Sequence, residues 1–308
     1  MSAAAKFKQV LAGRYKIEAL KLDAQGNEIP GSRRICANWF SNLILDQGLD
    51  QYATSSHWMD YCQVGSGSTT PDVSQTALAA RIAGSNTYPV ADDIGATGSS
   101  PYYAYTIRTF RFAAGTATGN LSEVGVGTSS TGSLFSRALI LDNLGSPTTI
   151  TVLSDETLDV SYEFRCYVPE TDTTGTVTLD GVNYGWTARA ANCTDSSSAG
   201  WRSPTDIGTA PGTRYAYTGA IGAITSSPAG TQQSSTSSSV GTYTSGAFQR
   251  TCTITWGLSN GNDPSGIGSV LFKFGIGVWQ VGFDSNVPKT SSYELSLTFT
   301  LSWARKSL

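Results

Sequence analysis

Residues 121–165 read LSEVGVGTSSTGSLFSRALILDNLGSPTTITVLSDETLDVSYEFR, and the fold class follows from this stretch. Over residues 158–165 the side chains alternate without exception. Leu158, Val160, Tyr162 and Phe164 fall on one side of an extended chain, and Asp159, Ser161, Glu163 and Arg165 on the other. A period of two marks a strand with one packed and one polar face. Residues 149–153 form an earlier β-branched, apolar run, and Ser154, Asp155, Glu156 and Thr157 link the two. A hairpin between these runs is the expectation.

The same reading extends outward. Residues 15–22, YKIEALKL, predict a strand entering a turn punctuated by Gly26 and Pro30. Residues 105–112, 134–141, 249–256 and 269–280 are rich in β-branched and aromatic side chains and predict further strands. In residues 293–303, Tyr293, Leu295, Leu297, Phe299, Leu301 and Trp303 alternate with small polar residues and Glu294, which predicts one long strand. Helical spacing is scarce. Residues 42–52, NLILDQGLDQY, predict the main helix, with Asn42 as its cap and an interruption near Gly48. Residues 71–82 also tolerate helix through Thr76, Ala77, Leu78, Ala79 and Ala80.

Closely spaced strands with Gly and Ser turns favour a mainly β fold. The expected architecture is an antiparallel β-sandwich with long Gly/Ser/Thr-rich loop insertions and one or two short helices. Its expected organisation is an N-terminal strand or hairpin arm over residues 1–34, a core over 35–167, a loop-rich insertion over 168–251, and C-terminal strands over 252–308 that complete the sandwich. No internal repeat suggests a solenoid or propeller.

Composition narrows the function. Only 14% of the 308 residues are charged, below the roughly 25% of ordinary domains. A net charge of −3 provides no basic face for nucleic acid. The first 34 residues carry Lys6, Lys8, Arg14, Lys16, Lys21, Arg33 and Arg34 against Glu18, Asp23 and Glu28. These read as a solvated hairpin surface in preference to a dock for an acidic neighbour. No apolar run reaches the ~20 residues of a membrane span, and no signal-peptide core follows Lys6 and Lys8. The five cysteines, Cys36, Cys62, Cys166, Cys193 and Cys252, contain no CxxC spacing and suggest neither a disulfide framework nor a zinc site. Cys166 and Cys252 lie in strand-like runs and read as small buried hydrophobes.

Candidate chemistry is sparse. His57 is the single histidine, beside Trp58 and Asp60 in SSHWMDY, but no nucleophile elbow accompanies it. Asp92 with Asp93 and Asp155 with Glu156 are adjacent acids, which in turns face solvent. A glycosidase needs two carboxyls about 5–9 Å apart across a cleft. The doublets Gly65/Gly67, Gly125/Gly127 and Gly275/Gly277 lack the phosphate-loop pattern and suggest bulges or close strand contact. No metal or cofactor motif is present. Residues 196–247 hold three charged side chains, Arg202, Asp206 and Arg214, in a Gly, Ser, Thr and Ala background, and suggest an ordered excursion at a subunit interface. Trp186, Trp201, Tyr215 and Tyr217 are the candidate contact residues, either anchoring this loop or stacking on a receptor sugar.

The opening stretch, with NLILDQGLDQ at 42–51 and CQVGSGSTTP at 62–71, resembles a family of tail-associated structural proteins of tailed bacteriophages. The resemblance is densest over residues 34–167 and returns in VPKTSSYELSLTFTLSW at 287–303. It implies a non-enzymatic virion protein of the tail tip, baseplate or fibre-attachment region, assembled in the host bacterial cytoplasm. The implied partners are copies of itself, as a homotrimer, and other tail or baseplate proteins, with no nucleic acid, membrane insertion or cofactor. The alternative expectation is an adhesin that recognises a host surface polysaccharide or pilus through residues 186–217. A carbohydrate depolymerase is the third. The resemblance transfers no catalytic residue.

Overall fold

The computed structural model describes residues 4–55, 57–191, 208 and 210–306. Among these residues the chain is mainly β, with one α-helix, Asp46–Thr54. It divides into two compact units, one of residues 1–10, 95–104 and 166–304, the other of residues 11–94, 105–165 and 305–308.

The second of these units holds an antiparallel five-stranded sheet in the order Leu43–Ile44, Leu134–Leu139, Glu123–Gly127, Tyr61–Gly65, Arg81–Ser85. The strand Thr157–Tyr167 has Ala4–Leu20 and Tyr103–Phe112 as its neighbours. Leu158, Val160, Tyr162 and Phe164 are buried as their alternation requires. Phe164 meets Trp58 at 4.6 Å between ring centroids, and Trp58 meets Phe135 of the five-stranded sheet at 4.3 Å. Tyr15 meets Tyr162 at 4.8 Å between ring centroids with the rings tilted, and its hydroxyl shares a 2.8 Å hydrogen bond with Ser136 Oγ.

The polar side of Thr157–Tyr167 is not open to water. Asp159 and Glu163 are each only 3% exposed. Arg111 lies 2.8 Å from Asp159 with Arg33 at 3.5 Å, while Arg14 and Arg165 both pair with Glu163. Buried carboxylates persist only when paired in this way. Other N-terminal cations are also paired, with exposed as well as buried acids. Lys16 pairs with Glu18, Lys21 with Asp155, Arg33 with Glu28 and Arg34 with Glu156.

Four expectations need correction. The hairpin joining residues 149–153 to 158–165 does not form. Ile150–Val152 instead pairs antiparallel with Gly119–Leu121, because Glu156 folds back to accept the Leu153 N–H at 2.8 Å and Arg34 at 2.7 Å, turning the chain aside. The helix runs over Asp46–Thr54 and passes through Gly48 without a break. Asn42 does not cap it; it is buried, with its amide 3.3 Å from the Tyr162 hydroxyl. Residues 71–80 are turns, not helix, since the Ala79 and Ala80 amides are drawn to a buried carboxylate at 3.0 and 2.7 Å. Residues 269–280 contain parts of two strands, Asp263–Lys273 and Val278–Lys289, reversed at Gly275, whose φ of +64° lies in the left-handed region that favours glycine.

The first unit holds a six-stranded antiparallel sheet ordered Thr173–Leu179, Val182–Ala191, Val278–Lys289, Asp263–Lys273, Arg214–Tyr217, Gln232–Ser234. It also holds Ser237–Val240, Gln249–Trp256 and Leu295–Arg305 in that order, followed by the beginning of Ala4–Leu20. Leu295, Leu297, Phe299, Leu301 and Trp303 are buried on one face, as their alternation predicts. Phe299 stacks on Phe272 at 4.3 Å, and Phe7 meets Trp279 at 4.7 Å.

Candidate functional site

Paired residues of an antiparallel sheet point to the same side, and successive residues along a strand to opposite sides. In the six-stranded sheet, Ala188, Val281, Val270 and Ala216 form one row and are all at most 2% exposed, so their face is the packed one. The flanking rows therefore share the other face. One contains Arg189, Gln280, Leu271, Tyr215 and Ser234; the other contains Thr187, Gly282, Ser269, Tyr217 and Gln232.

A segment over residues 219–225 lies across this second face. Ser269 Oγ donates to the Gly219 carbonyl at 2.6 Å. The buried Gln280 amide donates to the Gly222 and Ala223 carbonyls at 3.0 Å each and accepts the Gly222 N–H at 2.8 Å. Arg189 donates to the Gly222 carbonyl at 2.7 Å and forms a bidentate pair with Asp172 at 2.7 and 2.6 Å. A planar guanidinium engaged on both edges is fixed in place. Hydrogen bonding from Arg189 holds the Asp172 carboxyl below the usual range.

Hollows open on both sides of this pair. One, of about 500 Å³, is lined by Thr174, Thr187, Ile221 and Asp284. The other, of about 490 Å³, is lined by Tyr102, Glu170, Ile224 and Thr225. Asp172 and Arg189 line both. Gly185 lets the Asp284 carboxylate lie flat on the sheet, since a Cβ there would sit 2.6 Å from Asp284 Oδ2. Asp284 receives one long hydrogen bond, from Ser285 at 3.5 Å. Asp172, which lines both hollows, pairs with Arg189, while Glu170 lines one hollow and Asp284 the other. The arrangement offers hydrogen-bond acceptors and donors in fixed positions.

The structure distributes the sequence-derived candidates unevenly. Tyr215 and Tyr217 share the groove's face but pack into a cluster with Ala191, Leu271 and Val278, and the Tyr217 hydroxyl donates to Gln232 at 2.9 Å. Trp186, two residues before Ala188 and partly buried, lays its ring against Gly175 and is itself among the residues lining the hollow of about 500 Å³. Trp201 lies outside the described residues, as does Cys193. Cys62, Cys166 and Cys252 are fully buried, and burial pushes the Cys62 and Cys252 thiols up. His57 Nδ1 lies 2.5 Å from Asp60, which Arg108 also contacts at 3.2 Å, and the imidazole is largely exposed. Asp92 pairs with Arg108 at 2.8 Å. Lys21 and Arg34 hold Asp155 and Glu156 below the usual carboxyl range. A glycosidase acid needs the reverse displacement.

Sequence reasoning missed the most heavily engineered polar site of the second unit. Glu123 is 0% exposed and accepts the N–H groups of Gly67, Ala79 and Ala80 at 3.1, 3.0 and 2.7 Å, with Arg137 Nη2 at 2.7 Å. Arg137, itself 1% exposed, also donates to Gln75 at 2.7 Å and to the Thr69 carbonyl at 3.1 Å. Together they pin the strap of residues 66–80 to the five-stranded sheet. The signal was present as one acid, Glu123, opening the apolar run EVGVG. Gly67 is required beside it, because a Cβ would approach Glu123 Oε1 to 2.5 Å. The groove residues Asp172, Arg189 and Asp284 gave no such signal, being scattered over more than a hundred positions.

No known protein family, curated protein or solved structure matches this chain.

Proposed function

We propose that the chain is a non-enzymatic structural virion protein of a tailed bacteriophage, placed in the tail tip, baseplate or fibre-attachment region, and that it acts by self-association and docking to other tail proteins. The observation that carries this reading is where the resemblance-bearing stretches meet. Residues 42–51 supply the short strand Leu43–Ile44 and the first two-thirds of the helix, whose Gln47 donates to the Leu134 carbonyl at 3.1 Å. Residues 62–71 supply a central strand and the start of the strap, and residues 121–165 supply Glu123 and Arg137. All three converge on one packed framework held by the Glu123–Arg137 pair. A packed framework of this kind supplies shape, and shape is what an assembly component contributes.

A β-sandwich with long Gly/Ser/Thr-rich insertions belongs to the same proposal. It is supported in the second unit by the Trp58, Phe135 and Phe164 contacts, and in the first by the Phe272–Phe299 stack. Self-association has a physical opening at the sheet margins. Gln232–Ser234 and Ser237–Val240 each stand at the end of a sheet's strand order, close together in the hydroxyl-rich run QQSSTSSSV. Terminal strands are the natural place for another chain to add, through the main-chain hydrogen bonds that their outer edges leave to be made. Mass measurement by light scattering or native mass spectrometry should give a trimer. A stable monomer at high concentration refutes the self-association.

A further inference from the structure

We infer that the outer edge of Thr173–Leu179 pairs antiparallel, around a twofold axis, with the same strand of a second copy of this chain. The strand stands at one end of the six-stranded sheet, and its pairing with Val182–Ala191 runs without a register shift. Asp180 and Gly181, at φ of +49° and +75°, form the two-residue turn between these strands, which makes Leu179 and Val182 a hydrogen-bonded pair. By alternation Leu179, Val177, Gly175 and Thr173 turn their peptide groups inward, and Thr174, Thr176 and Thr178 turn theirs outward. Those three threonines are exposed, and among the described residues no strand lies beyond them. Open edges are ordinarily protected by charge, proline, a bulge or shortness. Two strands at the ends of other sheets are protected in this way. Arg81–Ser85 begins with an arginine and pairs in shifted register, and Asp93–Ala96 is short and begins with an acid. Thr173–Leu179 carries no charge, no proline and no bulge over its seven residues.

The strand is complementary to itself. Outward-turned residues pair only with outward-turned residues, and the register of full overlap sets Thr176 opposite Thr176, and Thr174 opposite Thr178, of the second copy. The three threonine pairs exchange about six main-chain hydrogen bonds, and threonines facing across strands add favourable side-chain contacts. On the reverse face the same register sets Val177 opposite Gly175 and Leu179 opposite Thr173, a larger residue against a smaller one each time. Charge agrees with size. The turn that carries Asp180 arrives beside Thr173, whose hydroxyl donates to the Lys6 carbonyl at 3.3 Å, so an exposed acid and an exposed lysine share each end of the contact. Asp172 lies at the same end but has its counter-charge in Arg189. A foreign strand would find the same main-chain groups; the match of size and charge belongs to this strand's own sequence. All of these residues lie in the first unit. The contact goes beyond self-association at Gln232–Ser234 and Ser237–Val240 and does not rest on it. A trimer doubled through this edge is a hexamer of dihedral symmetry, and a chain that forms no trimer is a dimer.

The test follows the mass of the full chain against concentration by light scattering, together with amide hydrogen exchange at Thr174, Thr176 and Thr178. The parent should double in mass as concentration rises, from trimer to hexamer or from monomer to dimer, and the three amides should become protected as it does. Which series appears judges the trimer separately from the twofold contact. Thr176→Pro removes the donor from both central hydrogen bonds and should weaken the doubling by about tenfold or more, while an outward position on an edge strand tolerates proline. Thr174→Lys with Thr178→Lys sets like charges opposite one another and should abolish the doubling. Thr174→Lys with Thr178→Glu sets opposite charges together and should restore it, which separates a lost contact from a lost fold. A parent that never doubles, doubling indifferent to these variants, or equal loss with both charge combinations would each overturn the inference. Protection of the three amides in a protein that does not double would also overturn it, by showing that another segment of the same chain covers the edge.

Discussion

Replacing Glu123 by alanine takes the acceptor away from three backbone N–H groups and leaves Arg137 charged at 1% exposure. Removing one member of a buried ion pair costs about 3–5 kcal/mol, because the other charge is left without compensation. Each hydrogen bond to a charged group is worth roughly 1.5–3 kcal/mol, so the three amides alone would exceed that figure if they stayed buried. The strap of residues 66–80 is a set of turns, and it can lift to let water reach those amides. The cost of the substitution should therefore settle near the ion-pair value, and the strap should open locally. A loss of about 3–5 kcal/mol lowers the melting temperature of a unit of this size by roughly 6–20 °C. Calorimetry reads the first effect, and amide hydrogen exchange at Gly67, Ala79 and Ala80 reads the second. Glu123→Gln, which keeps one carbonyl acceptor without the charge, should fall between parent and alanine variant. A Glu123→Ala protein that melts within 2 °C of the parent and still protects those three amides would show that the carboxylate does not hold the strap.

Other substitutions test separate contacts. Gly48→Ala improves helix propensity by about 1 kcal/mol in isolation, yet its Cβ would overlap the Phe135 carbonyl, so denaturant unfolding should show net destabilisation by about 1–3 kcal/mol. Lys289→Met strands the Gly257 and Thr290 carbonyls and Asn262 Oδ1, which its ammonium now contacts at 2.8–2.9 Å, and should cost about 1–3 kcal/mol by the same measurement. Asp172 and Glu156 have folded pKa values below their ordinary ones, so their contribution is complete above about pH 4.5 and is lost as pH falls through the folded values. Stability measured between pH 6 and pH 2.5 should decline in that lower window. The decline should shrink in Arg189→Gln and Arg34→Gln, and an unchanged profile in both would refute the pairing.

Much of the scaffold was legible because strand periodicity is a local property. The alternation in residues 158–165 and 293–303 identified Thr157–Tyr167 and most of Leu295–Arg305, and Gln249–Trp256 was bounded to the residue. Residues 71–80 misled for the opposite reason. Their alanines favour helix in isolation, and a carboxylate more than forty positions away overrides that preference by binding two of their amides. Residues 158–165 carried both lessons. Alternation correctly separated the two faces, but it could not tell that arginines from three distant segments would cover the acidic one.

By itself, then, the amino-acid order determined a mainly β chain, the phases of its longest strands and the burial of Cys166 and Cys252, since each depends on neighbours within about ten residues. Only tertiary structure decided which strand pairs with which, and so created the Glu123 pin and the groove at Arg189. Strand partners are chosen by burial summed over whole sheets. Register then brings Arg189 and Gln280, ninety-one residues apart, into one row, a proximity that no local spacing encodes.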